Sequence, residues 1–121
     1  MVIYSEMTLF IKEVSEKLKA LDMPILFKLP EASFREPFIV IGSHSSTSDY
    51  RTAKVGNLIE DTTLNIDIFL SNNSRTKAEE VRSKAVRIIG RREGVDSTVL
   101  IDNSIGREVY HIPIRIKEII V

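Results

Sequence analysis

Residues Thr62 to Leu70 (TTLNIDIFL) alternate with a period of two. Leu64, Ile66, Ile68 and Leu70 fall on one side, while Thr63, Asn65 and Asp67 share the other with Phe69. A strand with one apolar face is stable only when another layer covers that face. Glu108 to Ile119 repeats the pattern, with Tyr110, Ile112, Ile114 and Ile116 set against His111, Pro113, Arg115 and Lys117. Two such strands require a sheet with an apolar side and a partner layer to bury it.

The chain supplies that layer twice. From about Ser5 to Leu21, the residues Met7, Phe10, Ile11, Val14, Leu18 and Leu21 follow helical spacing. Lys12, Glu13, Glu16, Lys17 and Lys19 fall on the opposite side. Ser5 or Thr8 is the expected N-cap, and Asp22-Met23-Pro24 ends the helix because a residue before proline avoids the α region. The second helix runs from Arg75 to about Gly90, with Ser74 as N-cap and an apolar stripe of Ala78, Val81, Ala85, Ile88 and Ile89.

The remaining strands are shorter. Ile25 to Leu29 and Pro37 to Ile41 are apolar runs around the turn residues Pro30 to Ser33, a pattern that predicts a hairpin. Ser97 to Ile101 is another short strand, followed by a turn at Asp102 to Gly106. Pro113 has no N–H for a ladder, so the last strand is expected at a sheet edge or with a bulge. The predicted fold is α+β, an antiparallel sheet with two helices packed on it, in the order α-β-β-β-α-β-β. A length of 121 residues is that of one domain, 1–121, with enough surface to bury a single core.

Between Ser43 and Glu60 both periodicities disappear. The stretch SHSSTSDYRTAKVGNLIE reads as a long polar loop, uncommon inside a compact domain unless it is functional or disordered. The same composition is also compatible with two ragged strands. Its charges, Asp49, Arg51, Lys54 and Glu60, sum to zero. If the segment is an assembly loop, Asp49, Arg51, Lys54 and Glu60 are its candidate subunit or partner interface, with Arg51 and Lys54 the expected anchoring bases toward carboxylates of a neighbour.

Composition removes several classes of function. There are 17 basic and 17 acidic side chains, whereas a generic nucleic-acid coat carries a basic excess. The absence of cysteine excludes disulfides, thiolate zinc sites and a thiol nucleophile. His44 lies beside Ser43 and Ser45, yet no third group or G-x-S-x-G elbow accompanies it, and it reads as a solvated loop residue. His111, on the polar side of its strand, reads as exposed. Calcium-loop, H-E-x-x-H and phosphate-loop motifs are missing, so neither a metal, a cofactor nor an enzymatic activity is expected. No apolar run approaches the ~20 residues of a membrane span, and Met1 to Glu6 lacks the basic and apolar regions of a signal peptide. Local charge is uneven: between Ser71 and Gly94 there are seven bases and three acids. Arg75, Arg82, Arg87 and Arg91 are therefore a candidate basic helix face, with a solvated helix as the plainer reading.

The order of these segments resembles a known family. An amphipathic first helix leads to PFIVIG and a long polar loop. TTLNIDIFLS then runs into the helix RTKAEEVRSKAVRIIG, and the chain closes with HIPIRIKEIIV. This is similar to the tail-completion, or tail-terminator, proteins of long-tailed phages, the group related to the tail-to-head joining proteins of siphoviruses. The resemblance covers nearly the whole chain and implies a structural virion protein, assembled in the host cytoplasm. It implies a monomer when free that forms a hexameric ring on the tail-tube protein, stops tube polymerisation and presents a surface to the head connector protein. DNA would pass through the lumen without specific binding, and the segment at 43–60 would order on assembly. Two further readings stand beside it: a head-closure or connector-adaptor neck protein, which would share size and charge, and a less expected nucleic-acid-binding module using the basic second helix.

Overall fold

The computed structural model describes residues 3–49 and 59–120. Helix α1 spans Glu6–Leu18 and continues as a 3₁₀ turn, Lys19–Leu21. The strands β1 (Ile25–Leu26), β2 (Phe38–Asp49) and β3 (Ile59–Ser71) follow, then helix α2 (Arg75–Ile89). Strands β4 (Gly94–Ser97), β5 (Leu100–Asp102) and β6 (Val109–Ile120) complete the chain. The result is an α+β fold with two helices and a six-strand, mostly antiparallel sheet. The expected final strand pair is three strands, because the strand read as Ser97 to Ile101 is two pieces.

Both helices begin where a serine oxygen is available. Ser5 accepts from the Thr8 amide and Ser74 from the Lys77 amide, each at 3.1 Å. At the end of the 3₁₀ turn Asp22 takes a left-handed conformation, φ 57°, which turns the chain toward Pro24 and β1. Phe10, Val14 and Leu18 of α1 and Ala78, Ala85 and Ile89 of α2 are buried against one sheet face. That face is Leu64, Ile66, Ile68 and Leu70 of β3 with Tyr110, Ile112, Ile114 and Ile116 of β6, as the alternation requires. Val81 and Ile88 are only partly buried at its margin.

Strand order is β1-β2-β3-β6-β4, with β5 also on β6. Two expectations are corrected. First, β1 and β2 are parallel, with Ile25 opposite Ile39, and do not form a hairpin. Their connection crosses the sheet face opposite the helices, where Phe34 meets Phe38 edge-on at 5.5 Å. Arg107 holds it there by donating to the Ala32 and Phe34 carbonyls and pairing with Glu36. Second, β6 is central, not an edge strand. β3 pairs along its whole length, and β4 and β5 occupy the other side.

Pro113 is accommodated by a break in the neighbour. β4 and β5 meet β6 in one continuous register, which sets Thr98 opposite Pro113. The Thr98 amide donates to the Pro113 carbonyl at 3.3 Å. In an antiparallel strand the N–H and C=O of one residue point the same way, so the missing N–H faces this gap. One strand is thereby cut into β4 and β5.

Much of the segment read as a loop is strand. β2 continues to Asp49 and β3 begins at Ile59, forming a long hairpin, and residues 50–58 lie outside the described residues. The register shifts by one residue between Ile41 and His44, so Gly42 and Ser43 together face Asn65. The Asn65 amide donates to the Ser43 hydroxyl at 2.9 Å and secures the bulge. A Cβ at Gly42 would sit 3.4 Å from the Asn65 carbonyl oxygen, at the near limit of ordinary van der Waals contact.

Candidate functional site

Two surfaces carry polar groups in positions that the fold, not the core, requires. One is the outer part of the β2–β3 hairpin. Phe38 to Ile41 are buried, but beyond the bulge Ser43 to Thr47 are all exposed. On the β3 side Thr62 is buried, its hydroxyl donating to the Glu118 carbonyl at 2.9 Å. β1 pairs with β2 only at Ile39 and Val40, so among the described residues the rest of β2 pairs with β3 alone. Asp49 ends β2 opposite Ile59, and Glu60 stands opposite Ser48 and Ile120. The hairpin therefore brings Asp49 and Glu60 to neighbouring positions, while Arg51 and Lys54 lie outside the described residues. His44 is exposed, on a strand and not in a loop. The Ser43 hydroxyl is held by Asn65, and Ser45 points to the opposite sheet face from His44, so neither serine is set up as its nucleophile.

The second surface is the open face of the sheet. Phe38, Phe69 and His111 stand in one cross-strand row over β2, β3 and β6, with Leu100 of β5 as the next position. Phe38 stacks on Phe69 at 5.1 Å, and Phe69 on the His111 ring at 4.5 Å and 11°. The imidazole is gripped from both sides. Its Nε2 lies 2.6 Å from Asp67 Oδ1 on β3, and its Nδ1 lies 2.9 Å from Asp102 Oδ2 on β5. Burial by itself lowers the pKa of this ring, but the carboxylates, Asp67 foremost, outweigh it and hold His111 above its ordinary value. Asp102 is held below the usual carboxylate range, chiefly by the Ser104 amide, which donates to it at 2.7 Å, and also by His111. The expectation that His111 is exposed is corrected: the ring is largely covered, with its side chain 18% exposed.

The basic helix residues do not converge. Arg82 donates to both Glu79 carboxylate oxygens, at 2.6 and 2.7 Å, and to Ser97 at 2.9 Å. Arg75 lies 6.0 Å from the centre of the Tyr110 ring. Arg87 sits about 120° around the helix from Arg75, and its contact is to Ser83 at 3.5 Å. Arg91 is exposed beyond the helix end. Arg92, counted with these bases in the sequence, has its side chain largely covered and pairs with Glu13 and Glu118.

Sequence reasoning missed the Asp67–His111–Asp102 cluster and the Arg92 and Arg107 clasps. Asp67 and His111 do lie on the polar sides of their strands, but only the β3–β6 register makes them neighbours. Among the described residues no group of three or more His, Asp or Glu is arranged to hold a metal ion, and no helix is long and apolar enough to cross a membrane. In comparisons with known proteins, no family model matches the chain, and no curated protein matches it either.

Proposed function

We propose that this chain is a structural protein of a long-tailed phage, forming a ring at the head-proximal end of the tail. In that position it stops tail-tube polymerisation and joins the tail to the head connector. The observation that carries the reading is the outer part of β2, which among the described residues pairs with β3 alone and whose side chains from Ser43 to Thr47 are exposed and polar. Such a polar edge adds little to the core and is available for contacts between identical subunits, which close into a ring when the contact is heterologous. Asp49 ends it and Glu60 pairs with it from β3, and Arg51 and Lys54 follow in the sequence, outside the described residues. The zero net charge also suits a ring that passes DNA without gripping it. The engagement of Arg82 and Arg92 within the fold weighs against a phosphate-binding helix.

The test uses tail tubes assembled from the tube protein encoded in the same genome. Added to such tubes, the immunogold-labelled chain should decorate one end only. Labelling along the tube wall, or none at all, would reject the assignment.

A further inference from the structure

The Asp67–His111–Asp102 cluster has a property that follows from proton counting. A neutral imidazole has one N–H, whereas both ring nitrogens of His111 face a carboxylate. Only the doubly protonated ring can donate to both. The geometry points to His111 as a pH-operated clasp that holds β5 and the following turn on the sheet while the ring carries two protons, and lets them go when it carries one.

Of the two contacts, the one to Asp102 is the one that yields. It is longer, 2.9 against 2.6 Å, and Asp67 sits in the middle of β3 between two paired strands. Asp102 ends a three-residue strand that pairs, among the described residues, with β6 alone. It also keeps the Ser104 amide as a partner after the imidazole is lost. When the ring releases a proton to solvent, the remaining N–H stays with Asp67, and a nitrogen lone pair then confronts Asp102.

The other groups around the ring do not replace it. β3 contributes Asp67 and Phe69, and β5 contributes Asp102 with Leu100 opposite the ring. On its own strand His111 is flanked on the same face by Val109 and Pro113. Farther along, Arg115 stands opposite Asp96 of β4, and these two line a groove with Asp67. At the other end Arg107 is committed to Glu36, and Glu108 accepts from Asn72. Both helices pack on the opposite face. This inference stands on the cluster alone and does not depend on the proposed function.

Amide hydrogen exchange on the full chain tests it, expressed as protection factors so that the intrinsic pH dependence cancels. From about pH 6 to about pH 9 the amides of Leu100 to Asp102 should lose roughly tenfold in protection, while those of Ile66 and Ile112 hold theirs. In His111→Gln that step should vanish, and Asp102→Asn, which removes the charge from the yielding partner, should shrink it. Either variant suffices if the other does not fold. Constant β5 protection in the native chain would overturn the clasp. So would a step that survives in the variants, or imidazole ¹⁵N shifts showing a singly protonated ring at pH values where β5 is closed.

Discussion

Arg92 Nη2 donates to Glu13 Oε1 at 2.7 Å, joining the segment after α2 to the middle of α1. The same guanidinium reaches Glu118 on β6 at 3.1 Å and lies 5.4 Å from the centre of the Phe10 ring. Only 8% of the side chain is exposed, and its Nε is buried with no acceptor among the described residues. One side chain thus ties together a helix, a connection and the last strand.

Removing that tie should be costly. Arg92→Ala leaves Glu118 without its cation and opens space beside Phe10, for a loss of about 1–3 kcal/mol in urea unfolding. Arg87→Ala, on the exposed side of α2, should change stability by less than about 0.5 kcal/mol. Equal effects from the two substitutions would show that Arg92 does not fasten the layers.

The core should respond by position. Ile66 and Ile114 are fully buried between the sheet and the helices, so each alanine substitution should cost about 2–5 kcal/mol. Val81→Ala and Ile88→Ala, at the partly buried margin, should cost less than either. Equilibrium unfolding of the four variants would expose any error in the assignment of faces.

Pro113→Ala should be mild, within about 1 kcal/mol of the native chain. The N–H it restores faces the gap between β4 and β5, where the ladder is already interrupted. A loss above about 2 kcal/mol would mean that the proline ring, and not the break, organises this region.

Stability should fall at both ends of the pH range. His111 is raised above 6.5, so its contribution is complete below that unfolded value and is lost as pH climbs through the folded one. Glu13 and Glu36 are lowered, chiefly by hydrogen bonds from Arg92 and Arg107, and Asp102 chiefly by the Ser104 amide. Their contributions are present above the unfolded values of 4.5 and 3.8 and disappear as pH falls through the folded ones. Urea midpoints across pH should trace this, and His111→Gln should flatten the alkaline side while weakening the acidic side only through its smaller share in holding Asp102 low.

Replacing residues 45–57 by a short Gly-Ser linker removes the β2–β3 pairs from Ser45 to Asp49 and should cost about 1–3 kcal/mol, less than a core substitution. The pairs removed lie beyond the bulge, and Leu64 and the strands inward of it keep their partners. A thermal scan measures the cost. If the outer edge of β2 acts in assembly, the same variant should fail to terminate tails.

Period and capping exposed the elements that touch the core. The alternation in Thr62–Leu70 and Glu108–Ile119 marked the buried faces of β3 and β6, and Ser74 and Gly90 bracketed α2. What escaped was everything that depends on register. The bulge at Gly42–Ser43 flips the faces of β2 and destroys its alternation just where the side chains turn polar, so a strand reads as a loop. Pro113 signalled an interruption correctly, but a proline cannot say whether its own strand or the neighbour gives way. His111 meets Asp67 and Asp102 only after three strands are aligned, and no local pattern encodes that meeting.

The most direct test of the proposed role is the tail-length distribution, by electron microscopy, in lysates of the phage with this gene deleted. Overlong tails without attached heads, restored to normal by the intact chain and not by the 45–57 linker variant, are the expected result. Tails of normal length joined to filled heads in the deletion would contradict it.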